Sequence, residues 1–273
     1  MAWSAIAWGI GLFGLGTGLV GRHADHAAAA AVASLLGAEP RLVKARLDAG
    51  SVLGPLQGKF ERLSVKASGF VLESMPTGSD RLTGRTFHVA RLDLSLRDFR
   101  LGKLDVKGLE ASIPAARFRA MSAGPRLSPV GSGEGVGRVW TDAESVARYA
   151  ERRFPNLRRL TVAFRGDLVV LEGEAALLWQ SADFWLSARP VVTGKRVLGL
   201  RPVRVLFGGI RAEGAALQAW TDLLATVIHL DRDLGLNGSM DAEKVIVRPD
   251  RIEVLGPVRI PSKDHSGAPS GVF

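Results

Sequence analysis

Between residues 91 and 113 the chain reads RLDLSLRDFRLGKLDVKGLEASI, and aliphatic and polar side chains alternate almost without a break. An extended strand sorts that pattern into a dry face and a wet one, because its successive side chains point to opposite sides. Leu92, Leu94 and Leu96 fall on one face; Arg91, Asp93, Ser95 and Arg97 fall on the other. A strand over 86–99 would run about 45 Å at roughly 3.3 Å per residue, far beyond the usual length. Either a bulge breaks it or it belongs to a long, curved sheet. Gly108 favours a bulge, since the apolar phase moves from Leu104/Val106 to Leu109/Ala111/Ile113 across it.

The same period recurs along the chain. Leu63, Val65, Ala67, Gly69 and Val71 alternate with Arg62, Ser64, Lys66 and Ser68, which predicts a half-buried strand. Residues 160–177 predict a hairpin turning at Arg165-Gly166-Asp167, with further strands over 183–193 and 196–207. A last hairpin, 244–256, turns at Pro249-Asp250. Three helices are expected. One covers 27–49 and stops at Gly50 and Gly54-Pro55; one starts at a Thr141/Glu144 capping box and ends before Pro155. The third, over 215–230, puts Leu217, Trp220, Leu224, Val227 and Ile228 on one face. Residues 75–84 read as a loop and the Gly/Ser/Pro-rich stretch 122–137 as a loop or linker. The pattern of helix followed by strands occurs twice, without a residue-level repeat.

The chemistry-bearing residues are sparse. The 273 residues contain no cysteine, so there is no disulfide, thiol nucleophile or Cys-based metal site. None of the five histidines stands at a ligand spacing. His229 with Asp231 and Asp233 is the densest cluster, at an expected helix end, and no second cluster supplies the missing ligands. The stretch GSGEGVG (131–137) lacks the ending of a phosphate loop, and there is neither a nucleophile elbow nor a zincin motif. No metal, cofactor or catalytic group is expected. The net charge of +9 suits an anionic partner or solubility. One tyrosine and few aromatics among the basic residues argue against nucleic acid, which needs exposed rings beside a basic groove. Lipid headgroups fit better.

The first twenty residues carry no charged side chain, long enough for a helix to cross a hydrocarbon core of about 30 Å. Trp3 and Trp8 suit an interface, and Gly14 and Gly18 form a small-xxx-small pair. Residues 1–26 therefore read as a signal peptide or membrane anchor, 27–261 as the folded domain, and 262–273 as a flexible tail. Export to, or anchoring at, the cell envelope (membrane or periplasm) follows as the expectation.

Three stretches, GPLQGKFERLSVKASGFVLE (54–73), LDLSLRDFRLGKLDVKGLEASI (92–113) and VWTDAESVARYAERRFPNLRRLTVAFRGDLVVLEGEA (139–175), resemble the LmeA-like phospholipid-binding family. GSMDAEKVIVRPDRIEVLG (238–256) extends the likeness, although the turn before it reads DLGLNGS, where relatives commonly place a proline. The resemblance implies an envelope protein that binds phospholipid without catalysis. It also implies an α+β fold, a long curved antiparallel sheet partly wrapped around a few helices and similar to tubular lipid-binding domains.

Candidate groove-lining positions are Leu92, Leu94, Leu96, Leu104, Val106, Leu160, Val162, Phe164, Leu217, Trp220, Leu224, Val227 and Ile228. Arg and Lys at a groove mouth would hold phosphate headgroups. The same leucines also suit an envelope scaffold with a solid core and no ligand. An enzyme would instead need a polar cleft of clustered carboxylates or histidines.

Overall fold

The structure, a computed structural model, describes residues 18–51, 54–76, 85–120, 127–177 and 180–262. Residues 1–17 of the expected 1–26 leader, most of the 75–84 loop and the tail beyond Ser262 lie outside them, while 18–26 open the first helix. Two sheets dominate. The larger is a curled half-barrel. Its strands run β1 (Val43–Asp48), β2 (Lys59–Ser68), β4 (Thr86–Leu101), β5 (Leu104–Ala120), β7 (Gly135–Thr141), β15 (Ile252–Val258) and β14 (Lys244–Val247), in that order. The two-residue β3 (Val71–Leu72) adds to β4, and β6 (Leu127–Gly131) adds to β5. Pairing is antiparallel except that β2 and β3 run parallel to β4. The connection from 69 to 85 is long enough to return the chain to the same end.

The 91–113 stretch forms the spine, and it does so without the expected bulge. From Leu101↔Leu104 to Thr86↔Arg119 the register of β4 on β5 never slips. Instead both strands change phase at the same two levels. Leu96 and Phe99 are both buried while Arg97 and Asp98 are exposed; Ile113 and Ala116 are both buried while Pro114 and Ala115 are exposed. Asp98 (φ 45°) and Ala115 (φ 51°) take the left-handed conformation at these levels. One reoriented residue per level keeps the aliphatic side chains on the inner face as the sheet coils. Gly108 serves another purpose. A Cβ there would lie inside the indole of Trp140, which packs on the strand with Arg97 and Arg138 at 4.5 and 5.2 Å from its ring centroid.

The N-terminal helix, α1 (Gly18–Leu36), stops earlier than expected. Gly37 (φ 63°) and a 3-10 turn at Pro40–Leu42 end it, and β1 follows. The sequence V-K-A-R-L-D of β1 alternates with period two, so edge pairing with β2 wins over helix. Likewise eight of the eleven described residues of the expected 122–137 linker are strand. Its glycines are there for close approach, not flexibility: a Cβ on Gly135 would overlap Ser112 O, and one on Gly137 would overlap Val258 Cγ1. A short α2 (Gly54–Gln57) precedes β2.

The smaller sheet runs β12 (Ile210–Arg211), β11 (Val197–Phe207), β10 (Gln180–Thr193), β9 (Leu168–Leu177) and β8 (Leu157–Arg165), with β13 (Ile228–His229) on β11. The β8–β9 hairpin turns at Gly166-Asp167, and β14–β15 turns around Pro249-Asp250, as expected. Two helices cover this sheet. In α3 (Ala143–Arg153) the N-cap is Asp142, whose Oδ1 accepts from Ser145 N at 2.9 Å. Thr141, the expected cap, donates its hydroxyl to Asp105 O at 2.7 Å. Asp142→Ala should cost about 1 kcal/mol of stability, read by chemical denaturation, whereas unchanged stability would show the cap to be idle.

The other covering helix, α4 (Gly214–Leu224), ends before Val227 and Ile228, which were expected on its face. Val227 N instead donates to Leu198 O, and Ile228 pairs with Leu198. His229 does not end a helix either: it caps the start of α5 (Leu230–Leu234), its Nδ1 accepting from Arg232 N at 3.3 Å.

Two hydrophobic cores result. One lies inside the large sheet against α1 and α5; the other lies between the small sheet, α3, α4 and the tip of the β14–β15 hairpin. α3 sits at their junction, giving Tyr149 to the first core and Ala150 to the second.

Candidate functional site

Cross-strand register turns the inner face of the large sheet into apolar rows. One row runs Val43, Ala67, Leu96, Leu109, Val139, Val254, Val245 across seven strands. The next runs Ala45, Val65, Leu94, Ala111, Gly137, Gly256. A third runs Leu47, Leu63, Leu92, Ile113. None of these positions is charged. The second row holds small residues at four of its six places, so it is the shallowest part of the face.

Burial is uneven along these rows. Val65, Leu92 and Leu96 are closed off, whereas Leu94, between them, is only half-buried. Ala45, Leu47 and Ala49 along the edge strand, and Leu35 and Ala38 at the end of α1, are half-buried against the same core. These residues trace a seam between α1 and the edge of the sheet. Across it Asp25 Oδ1 accepts from Leu47 N at 3.0 Å, tying the helix to an otherwise unpaired edge N–H. The buried side chains of α1 are mostly small: Ala31, Val32 and Ala33, with Leu36 at its end. Small side chains bring the helix close and leave little to interlock it.

The sequence-derived candidates divide between the two cores. Leu92, Leu94, Leu96, Leu104, Val106 and Ile228 belong to the large-sheet core. Leu160, Val162, Phe164, Leu217, Trp220, Leu224 and Val227 belong to the second. They therefore line two faces, not one groove. Ala45 and Gly137 escape the sequence reading because it runs a helix through β1 and a linker into β7; Val139 and Val254 join the row only through the register of β7 with β5 and β15. The alternation in VKARLD was the signal that would have found the first.

The outer face of the large sheet is polar and mostly paired. Asp93 receives Arg62 at 2.5 Å and Arg91 at 2.9 Å; Glu110 receives Arg97 at 2.7 Å and Arg138 at 2.6 Å. Asp105 joins the sheet to α3 through Arg100, Arg148 and Arg152 at 2.9, 3.2 and 3.4 Å. Burial alone would push the Asp105 carboxyl up, but hydrogen bonds from Arg100 and Arg148 and the neighbouring cationic charge hold it below the usual carboxylate range. The net direction is the same for Asp93, Asp142 and Asp233, again with hydrogen bonds outweighing burial. A depressed folded-state pKa gives stability that is present above the unfolded value and lost as the pH falls through the folded one. The protein should therefore lose thermal stability below about pH 4, and Asp105→Asn should flatten that loss. A melting temperature independent of pH across this window would contradict the assignment.

There are also two open clefts of about 390 Å³ each. One, on the outer face of the small sheet, is lined by Trp185, Leu206, Thr161 and Glu172 among others; the other adjoins the turn at 49–61. His229 and Asp233 are engaged in capping, with Asp233 Oδ2 accepting from His229 N at 2.8 Å. Among the described residues no three His, Asp or Glu side chains converge on a metal-sized site. No described helix is long and apolar enough to cross a membrane.

A family model described as LmeA-like phospholipid-binding matches residues 15–256. It covers most of the chain, including both sheets and the rows just described, and the chain belongs to that family. No curated protein and no solved structure matches the chain.

Proposed function

We propose that this member of the LmeA-like phospholipid-binding family holds the acyl chains of a phospholipid, or of a similar amphiphile, against the uncharged inner rows of its large sheet. The observation that carries this reading is the seam: a continuous apolar face across seven strands, half-open at Leu94, Ala45 and Leu47 beneath a helix with small side chains. An acyl chain exposed to water costs about 0.8 kcal/mol per CH₂, on the order of 10 kcal/mol for one chain. An aliphatic face removes most of that cost with no reaction, so binding is non-catalytic. α1 would move outward from the sheet edge to admit the chain, breaking the Asp25–Leu47 bond. The uncharged first twenty residues support placement at the cell envelope, exported or anchored, where carriage or presentation of lipid would take place.

Native mass spectrometry of the purified chain, with lipid extraction and uptake from fluorescent phosphatidylcholine vesicles, tests the reading. Co-purifying phospholipid, or saturable uptake, is the expected result. Protein that is bare and ignores vesicles would make both cores solid and the chain an envelope scaffold.

A further inference from the structure

On the outer face of the large sheet most cations reach an acid in their own row or diagonally in the next, as in Arg97–Glu110–Arg138 and Arg62–Asp93. One row does not. Lys59, His88 and Arg117 stand directly opposite one another on three adjacent strands, β2, β4 and β5. All three are exposed. Cross-strand neighbours on one face lie about 4.5–5.5 Å apart at Cβ, and like charges so placed repel. Glu61, the nearest acid in sequence, packs its side chain on Gly50 and forms no ion pair with Lys59. None of the three has an ion-pair partner among the described residues.

The position of this row in the fold gives it a second meaning. α1 runs antiparallel to β1, with Asp25 at Leu47 and Leu36 near Val43. Its first turns therefore lie at the end of the sheet where β1 finishes and β2 begins, the end that carries Lys59 on its outer face. The uncharged residues 1–17 enter the described structure at Gly18, on that same side. The half-open seam, the cationic row and the entry of the apolar N-terminal segment thus share one end of the half-barrel.

We infer that this end docks on an anionic bilayer surface, with the Lys59–His88–Arg117 row against the phospholipid headgroups. The inference rests on the lipid-binding reading and adds an orientation to it: the seam meets the membrane end-on, so a chain passes from bilayer to sheet without crossing water. The repulsion within the row is then relieved by lipid phosphates on docking.

The test compares flotation of the full chain with vesicles of phosphatidylcholine alone and of phosphatidylcholine mixed with phosphatidylglycerol. The ratio between the two is the readout, because insertion of the N-terminal segment contributes to both. Wild type should favour the anionic vesicles, with a preference that falls as salt rises. Lys59→Gln/Arg117→Gln should lower that preference roughly 25-fold, taking about fivefold per cation near the surface. The control, Lys44→Gln/Lys66→Gln, removes the same charge from the same face about 23 Å away at 3.3 Å per residue, and should leave the preference within about twofold of wild type. Equal loss in both variants, or an unchanged preference in the first, would overturn the inference. Uptake of phosphatidylcholine without any anionic preference would also overturn it while leaving the binding reading intact. No uptake from either vesicle would sink that reading instead.

Discussion

Leu94→Lys is expected to abolish phospholipid uptake, by at least about tenfold, in a protein that still folds. Leu94 is the half-buried centre of the shallow inner row, between Val65 and Ala111. Its partial exposure is what lets the variant fold: a lysine there can extend along the face and keep its ammonium in water through the seam. Once an acyl chain covers the row, that ammonium loses its water with no carboxylate beside it. The penalty for burying an unpaired charge is several kcal/mol, enough to cancel most of the binding energy of one chain. Leu94→Met, similar in volume, should retain uptake. Leu217→Lys makes the same change at a half-buried position of the second core. If Leu217→Lys loses uptake and Leu94→Lys keeps it, the lipid face is on the small sheet and the present assignment is wrong.

The largest loss of stability is expected at Gly256→Val. Gly256 ends the same inner row, where Asp241 N donates to Pro257 O at 3.1 Å and Glu243 N donates to Leu255 O at 2.9 Å, bringing the 240–243 segment over β15. A Cβ on Gly256 would overlap Asp241 O, a backbone atom in a segment held on both sides, so nothing flexible can give way. Asp241 is itself buried and bridges Arg196 and Arg259 at 3.3 and 3.4 Å. Displacing it disturbs the join between the sheets. Overpacking of this kind costs about 3 kcal/mol, or roughly 6–12 °C in melting temperature for a chain of this size. An unaltered melting curve would mean that the segment is looser than its hydrogen bonds imply. Gly108→Val is the instructive contrast: the clash there is with the Trp140 side chain, which can turn, so the loss should be smaller.

Period-two alternation placed β2, β4, β5, β8, β9, β10 and β11 from sequence, because on a long strand the pattern is repeated often enough to exclude a helix. It failed where a competing local signal was louder. The alanine run drew the first expected helix through β1, and the glycines of GSGEGVG hid β7. In both places the deciding interaction is long-range: edge pairing of β1 with β2, and the close approach of β7 to β5 and β15. Val227 and Ile228 fit a helical face by spacing, yet the edge of β11 captured both, Ile228 as strand and Val227 through its N–H to Leu198 O.

The sequence by itself determined which side chains would be dry, and that the chain would be β-rich, because the alternation of aliphatic and charged residues permits only one sorting. It also carried the family. Tertiary structure alone decided that those dry side chains form two cores rather than one groove. It decided too that Leu94 stays half-open while its neighbours close, and that Lys59, His88 and Arg117 share a row. These properties depend on register, curvature and what covers each face. They are set by contacts between residues far apart in the chain, and no local window of sequence contains both partners.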